Sequence, residues 1–237
     1  KPLCLSIEEA RELRDLAPTH SRVLMVGHLL LYHPAFRSVR KLVSSGELGQ
    51  LRYIYSHRLS LGQIRREENA LWSFAPHDIS MILALTGKMP IRVIATGGHY
   101  LSSAKADTTL SHLTFANNIQ AHIFVSWLHP YKDHRLIVVG SEGMVAFNDV
   151  VDGPEKVLLY RHIARWNGEV PLVDRADAEP VPYDADEPLR LECEAFIDAI
   201  QRGSSPPSDA DEGIRVLTVL TACQDSLTSG NSIHLDT

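Results

Sequence analysis

The segment ALWSFAPHDISMILALTG, residues 70–87, places a histidine and an aspartate side by side in an apolar stretch with helical spacing. The pattern predicts an amphipathic helix whose first turn carries Pro76, His77 and Asp78, with Gly87 as a C-terminal cap. The helix dipole explains Asp78, because a carboxylate is favoured near a helix N-terminus. It does not explain His77. A structural histidine and a functional histidine both remain open on this spacing alone.

A histidine near a helix N-terminus suits the chemistry of a general base. A base that takes a proton from a hydroxyl has to be neutral beforehand. The positive end of the helix dipole disfavours imidazolium, so we expect it to keep His77 neutral near pH 7. The adjacent Asp78 acts in the opposite sense. The segment therefore predicts a group that can accept a proton from an alcohol.

Further candidates for substrate binding lie at the ends of predicted strands. His33 stands before Pro34, and the segment HPYK contains His129 and Lys132, with Arg135 three residues further on. Loops at such positions often carry binding groups. Lys132 and Arg135 could neutralise a phosphate or a carboxylate, or they could be solvated charges at a strand end.

Composition and charge exclude several classes of function. The 237 residues are 44% hydrophobic and 22% charged, which suits one large or two modest globular domains. The net charge of -6 argues against a cationic face for nucleic acid. No apolar run approaches the roughly 20 residues of a membrane span, so no membrane association is expected.

Metal chemistry is not predicted either. The chain has twelve histidines, but it has no H-E-x-x-H motif, and adjacent His77 and Asp78 cannot both aim at one ion. The three cysteines are far apart, which is typical of reduced thiols and favours a cytoplasmic protein.

Helical and strand patterns divide the chain at about residue 33. A capping box beginning at Ser6 predicts a helix over 7–17, and the apolar run 22–27 predicts a strand buried on both faces. Helix followed by buried strand is typical of the last unit of a doubly wound α/β domain. We therefore assign residues 1–33 to the C-terminal part of a dinucleotide-binding domain and residues 34–237 to a substrate-binding and oligomerisation domain.

The larger part alternates between helices and long strands. Helices are predicted over 34–45, 188–202 and 209–229, with a loop over 171–188 and a short last strand. Strands are predicted over 50–61, 90–101, 107–116, 118–128, 134–140, 143–148 and 156–162. The fold class is α+β, with a large mixed, mainly antiparallel open-faced sheet that has helices on one face, preceded by the tail of a Rossmann-type unit.

Alternation within residues 120–128 predicts an asymmetric sheet. Ala121, Ile123, Val125 and Trp127 alternate with more polar residues, so one face is more buried than the other. Helices can cover only one face of such a sheet. We expect a homo-oligomer built face to face through these sheets, with Ile123, Val125 and Trp127 at the contact.

Five stretches in register resemble the Gfo/Idh/MocA family of NAD(P)-dependent oxidoreductases. KPLCLSIEEA resembles the E-K-P-x-A-x-T-x-E-E-A segment of that family, and ALWSFAPHDISMILALTG resembles the helix that bears its catalytic histidine. The other three are VGHLLLYHPAFRSVRKLVSSGELGQL, RLIVVGSEGMVAFND and LRLECEAFIDAIQRGSSPPSDADEGIRVLTVLTAC. The resemblance covers essentially the whole chain and is greatest for members that act on nucleotide-linked or amino sugars.

The resemblance implies roles for individual residues. Lys1 matches the lysine of E-K-P, which in the family lies near the nicotinamide and the substrate hydroxyl. The resemblance therefore implies that Lys1 and Pro2 contact the cofactor. His77 matches the acid/base histidine of a D-x-x-x-H pattern, in which Ser73 replaces the aspartate. Ser73 could hydrogen-bond to His77, and Asp78 could partly compensate. Lys1, as a positive charge, could stabilise a developing alkoxide.

The resulting expectation is hydride transfer between NAD or NADP and a hydroxyl of a sugar or nucleotide sugar. Because the sequence contains no G-x-G-x-x-G, we expect that a dinucleotide-binding half lies outside this chain and that these residues alone do not bind NAD(H) tightly. The alternative is a non-catalytic sugar or nucleotide sensor that keeps the fold, which the loss of the aspartate would allow.

Overall fold

A mixed sheet of nine strands forms the centre of the structure, a computed structural model that describes residues 1–101 and 104–235. Its strands are β1 (Leu51–Leu59), β2 (Arg92–Gly98), β3 (Thr108–Thr114), β4 (Gln120–Ser126), β5 (Asp133–Gly140), β6 (Met144–Asn148), β7 (Val157–Tyr160), β10 (Ala178–Pro180) and β11 (Ile233–His234). Their spatial order is β10-β7-β6-β5-β1-β4-β3-β2-β11. The β1–β4 pair is parallel and the other neighbouring pairs of this sheet are antiparallel, as the mainly antiparallel prediction required.

Five α-helices accompany the sheet in the described part of the chain. They are α1 (Ile7–Thr19), α2 (Pro34–Ser44), α3 (Ala70–Thr86), α4 (Pro188–Arg202) and α5 (Ala210–Ser229). Helix α3 packs on β1, β3 and β4, α5 packs on β2 and α3, and α1 packs on α5. A short 3-10 turn, Leu29–Leu31, also lies against α3. The predicted capping box is present, since Ser6 Oγ accepts a hydrogen bond from Glu9 N at 3.3 Å.

The two faces of the sheet differ strongly in exposure. Ile123, Val125 and Trp127 lie on the helix-covered face and are 1%, 0% and 1% exposed. Their proposed place at an oligomer contact is therefore wrong, because they already pack against the protein's own helices. The opposite, open face carries Ile94 and Leu110, at 39% and 45% exposed, beside the partly buried His122.

Two segments differ from their predictions. Residues 22–27 form no regular strand, and only Met25 makes an isolated antiparallel bridge, to Asp209 just before α5. Val26 of this apolar run is buried against Gly213 at the start of α5, and not between two neighbouring strands. The predicted loop over 171–188 contains most of strand β9 (Val170–Asp174) as well as β10. Strand β9 pairs in an antiparallel hairpin with β8 (Ile163–Asn167), which the sequence did not predict.

Candidate active site

His77 lies two turns inside α3, and the predicted position in the first turn is wrong. Asn69 begins the helix, because its side-chain Oδ1 accepts a hydrogen bond from Trp72 N at 3.1 Å. The helix dipole therefore acts little on His77. The pKa of His77 nevertheless lies well below its usual value, because burial disfavours imidazolium and the charges of Arg58 and Lys1 oppose a further positive charge.

The side chain of His77 lacks the partner that the D-x-x-x-H pattern would provide. Its Nδ1 is buried and has no hydrogen-bond partner, so Ser73 does not bond to this nitrogen. An unpaired buried imidazole nitrogen is unusual, since most buried polar atoms in folded proteins are satisfied. The imidazole is thus neutral and has one ring nitrogen available inside the protein.

Asp78 points away from solvent and binds the end of β1. Its Oδ1 accepts a hydrogen bond from Ser56 Oγ at 2.6 Å, and its Oδ2 lies 3.2 Å from Arg58 Nε. Asp78 is 1% exposed and Arg58 is 7% exposed. The aspartate therefore positions a buried guanidinium beside His77. The prediction that Asp78 is stabilised by the helix dipole is wrong, because α3 begins at Ala70 and Asp78 lies two turns inside it.

Arg58 also joins two polar side chains from neighbouring strands. Its Nη1 lies 3.0 Å from His134 Nδ1 and 3.5 Å from Asp149 Oδ2. Burial alone would raise the pKa of Asp149, but the bond to His134 and the charge of Arg58 lower it overall. The sequence did not predict this group of side chains around Arg58. The local sign of it is that Ser56 and Arg58 are polar, although they alternate along β1 in step with buried Ile54 and so share its buried face.

A second polar group reaches His77 from the start of the chain and from α5. Lys1 is exposed, yet its charge contributes to lowering the pKa of His77. His28 is fully buried, with Nδ1 2.6 Å from Glu212 Oε2. Glu192 on α4 is also buried, and burial raises its pKa against the opposing charge of Lys1. The charge of Lys1 therefore acts on His77, and the shared catalytic role of the two residues stays a prediction.

His33 serves a structural purpose and also lines a cavity. Its Nδ1 caps α2 by accepting a hydrogen bond from Ala35 N at 3.1 Å, and its ring packs edge-on against Phe147 at 5.5 Å. Burial, together with the charge of Lys156, lowers the pKa of His33. The adjoining cavity of about 690 Å³ is bounded by Lys156 and Tyr183.

The remaining three predicted binding residues lie apart from this group. Arg135 stands on the open face of the sheet, where its Nε lies 2.8 Å from Asp133 Oδ1, so it does not face His77. The Nδ1 of His129 lies 2.8 Å from its neighbour's carbonyl, Tyr131 O. Lys132 is exposed, and its charge reaches His134. Alternation along β5 decides the side on which Arg135 lies.

The described residues do not form a cradle for a dinucleotide pyrophosphate. Gly140 and Gly143 flank the hairpin between β5 and β6, and no helix N-terminus follows them. A Cβ on Gly140 would meet Leu48 O at 1.9 Å, so this glycine allows a close backbone approach. Lys1 and Pro2 remain the cofactor-side candidates.

The described residues contain neither a candidate metal centre nor a helix that could span a membrane. No group of three or more His, Cys, Asp or Glu side chains there is arranged to hold a metal ion. Among the helices that the structure describes, none is long and apolar enough to cross a membrane.

Comparison with known proteins identifies relatives of this chain. Residues 36–146 match the GFO/IDH/MocA C-terminal domain family. The chain is 28% identical over 218 residues to UDP-N-acetylglucosamine 3-dehydrogenase of Acidithiobacillus ferrooxidans, covering 92% of this chain and 66% of that protein. It is 26% identical over 238 residues to an inositol 2-dehydrogenase of Ralstonia nicotianae, covering 97% of this chain and 67% of that protein.

Solved structures show the same fold. The UDP-N-acetylglucosamine 3-dehydrogenase of Acidithiobacillus ferrooxidans superposes with a TM-score of 0.81 at 25% identity, covering 96% of this chain and 69% of that one. Aldose-aldose oxidoreductase from Caulobacter crescentus has a TM-score of 0.81 at 18% identity, covering 99% of this chain and 70% of that one. The chain spans about two thirds of the length of these relatives.

Proposed function

We propose, on the premise that residues 36–146 match the GFO/IDH/MocA C-terminal domain family, that this chain is the substrate-holding part of an NAD(P)-dependent oxidoreductase. The reaction would transfer a hydride between NAD or NADP and a hydroxyl-bearing carbon of a sugar or nucleotide sugar. The names of the two relatives, one acting on UDP-N-acetylglucosamine and one on inositol, support a ring-shaped polyol as substrate.

One observation carries this proposal: a buried His77 kept neutral beside two cations, Arg58 and Lys1. Oxidation of an alcohol removes a hydroxyl proton and a carbon-bound hydride, and the nicotinamide cofactor supplies the hydride acceptor. His77 takes the hydroxyl proton in its neutral form. The positive charge of Lys1 stabilises negative charge that develops on the substrate oxygen.

The domain division follows the same reasoning. Because the described residues hold no pyrophosphate cradle, the greater part of the cofactor is held by residues other than these, with Lys1 and Pro2 at its edge. Residues 1–33 then connect the cofactor side to the substrate domain, residues 34–237. His33 lies at the boundary between these two parts. His134, which contacts Arg58, belongs to the substrate domain.

A homo-oligomer through the open sheet face accompanies this function. That face is partly apolar, with Ile94, Leu110 and Tyr53 exposed by 36–45%. Contiguous exposed apolar surface of this kind is typical of a contact with another chain. A second copy of the same face can cover it in an isologous dimer.

A sensor that binds a sugar without turnover is the second candidate. Ser73 in place of an aspartate and the unpaired Nδ1 of His77 favour it, because a poorly oriented base would be slow. Turnover by the complete protein distinguishes the two functions.

The test is an assay of the complete protein that contains these 237 residues. It is mixed with NAD+ or NADP+ and with UDP-N-acetylglucosamine, myo-inositol or a simple acyclic alcohol, and formation of reduced nicotinamide is followed. We expect reduction with at least one ring-shaped polyol and none with the acyclic alcohol. Calorimetric binding of a sugar without any reduction would contradict the oxidoreductase and favour the sensor.

A further inference from the structure

His28 is a buried histidine that the proposed reaction does not use. It directly precedes the 3-10 turn Leu29–Leu31, which packs on α3, the helix that carries His77. Its ring is fully buried, with Nδ1 2.6 Å from Glu212 Oε2, while its Nε2 has no hydrogen-bond partner. A carboxylate at Nδ1 fixes the orientation of an imidazole and favours the tautomer that has its lone pair on Nε2. His28 therefore has a free acceptor inside the protein.

Four unpartnered buried atoms lie on His28 and on the helices α3, α4 and α5. They are His28 Nε2, His77 Nδ1, Glu192 Oε1 and Glu212 Oε1, which we call the His28 cluster. The elements that carry them are in contact, because α5 and the Leu29–Leu31 turn both pack on α3, and α4 packs on that turn. Buried polar atoms of this kind are normally bridged by ordered water.

Charge effects support the closeness of these side chains. A charge on His28 would lower the pKa of His77, as the charges of Arg58 from β1 and of Lys1 do. A charge on His28 would likewise oppose the raised pKa of Glu192 on α4. His28 thus interacts with both His77 and Glu192.

His77 needs a partner of this type. A histidine that accepts a proton works best when its other ring nitrogen donates to a fixed acceptor, because that bond sets its tautomer and its orientation. Ser73 stands where the family pattern has an aspartate, and it does not bond to Nδ1. The position one turn before His77 therefore does not supply the acceptor.

We propose that the Glu212–His28 pair is the positioning unit of His77, in which Nε2 of His28 accepts, through one bridging water, the hydrogen bond from Nδ1–H of His77. This rests on the proposed function, in which His77 receives the hydroxyl proton. The proton moves from the substrate oxygen to the free nitrogen of His77, and the positive charge on that ring is stabilised through the water by His28 and Glu212. His28 acts through His77 and does not touch the substrate.

The test combines a spectroscopic and a kinetic measurement. The variant His28→Phe with Glu212→Gln removes the acceptor without leaving an unpaired buried carboxylate. In the 237-residue chain, ¹⁵N spectra of the imidazoles should show that His77 loses its preference for the Nδ1–H tautomer. In the complete enzyme, kcat should fall about tenfold or more while KM changes little, because the base is misoriented and substrate binding is not altered.

Rescue separates positioning from mere structural support. Adding Ser73→Asp to the double variant restores an acceptor one turn before His77 and should recover the Nδ1–H tautomer and most of kcat. The control Ser226→Ala removes a buried hydroxyl of α5 that bonds to Ala95 N, away from the cluster. It should lower stability without moving either readout.

Two outcomes would overturn the proposal. One is an unchanged His77 tautomer in the double variant, and the other is that Ser73→Asp does not restore the Nδ1–H tautomer. If the double variant does not fold, Glu212→Gln alone replaces it and must shift the tautomer in the same direction. Absence of turnover in the wild-type enzyme would contradict the proposed function alone, since the tautomer measurement does not depend on turnover.

Discussion

The neutral state of His77 arises from its immediate surroundings. Burial is the largest cause of its lowered pKa, and the cations Arg58 and Lys1 add to it. Arg58 is itself fixed by Asp78, the residue next to His77, so one short stretch of α3 supplies both the imidazole and the anchor of its neighbouring cation. A base placed in this way is ready to take a proton at neutral pH.

The lowered pKa of His77 predicts how stability depends on pH. Below pH 6.5 the unfolded chain protonates this histidine while the folded chain does not, so stability present above pH 6.5 is lost as the pH falls. Each such group contributes a slope of up to about 1.4 kcal/mol per pH unit to the free energy of unfolding. Urea unfolding of wild type from pH 7 to pH 5 should show this decrease, and His77→Gln should show a shallower one.

The exposed His234→Gln on β11 is the matched control, and its pH slope should equal that of the wild type. An unchanged slope in His77→Gln would mean that the histidine is charged in the folded protein.

At the scale of elements, the residue at which α3 begins determines how deeply His77 lies in the protein. Asn69 caps the helix and its Nδ2 also donates to Gln224 Oε1 on α5 at 2.9 Å. The helix therefore begins two turns before His77 and carries that residue to the interior, beneath the end of β1. A helix that began at Pro76 would leave His77 in its first turn, where the positive end of the helix dipole acts, and nearer to solvent.

The position of the cap can be tested with a pair of variants. Asn69→Ala removes the cap and should lower the free energy of unfolding by about 1 kcal/mol, measured with urea. Ser73→Ala lies inside the helix, where its side chain caps nothing, and should change stability by less than about 0.5 kcal/mol. Equal losses in the two variants would show that the helix does not begin at Asn69.

The sequence allowed prediction of the elements whose pattern is local. Capping residues and periodicity located α1, α2, α4 and α5 within a few residues, and alternation identified Ile123, Val125 and Trp127 as buried. The partner that buries a side chain is not encoded locally. For this reason the run 22–27 was misread as a strand, although it packs against the start of α5.

The site was predictable only in part for the same reason. His77 and Lys1 came from a motif. In contrast, Arg58 meets Asp78, and His28 meets Glu212, only in the fold, because the partners are far apart in sequence. A polar residue on the buried side of a strand, such as Arg58, is the local sign of such a meeting. Arg135, which looked similar, faces the other side because of its position in the alternation of β5.

At the scale of the whole molecule, the open sheet face predicts self-association. Leu110 lies on β3 within that face and is 45% exposed, so Leu110→Asp would place a charge at the proposed contact. Light scattering at micromolar concentration should give a multiple of the 26.4 kDa chain mass for wild type and the single mass for Leu110→Asp. Leu13→Asp, on the exposed side of α1, is the control and should leave the wild-type mass unchanged.

A monomeric wild type would contradict the dimer through this face. A Leu110→Asp variant that keeps the wild-type mass would place the contact elsewhere on the molecule.

The central claim is that His77 accepts the substrate proton. The most direct measurement is the turnover of His77→Asn in the complete protein, on the polyol that the wild type oxidises. Asparagine keeps some hydrogen bonding but cannot act as a base, so kcat should fall about 100-fold or more, with cofactor affinity and fold nearly intact. Turnover of His77→Asn close to that of wild type would contradict the assignment and leave His77 as a buried structural histidine of α3.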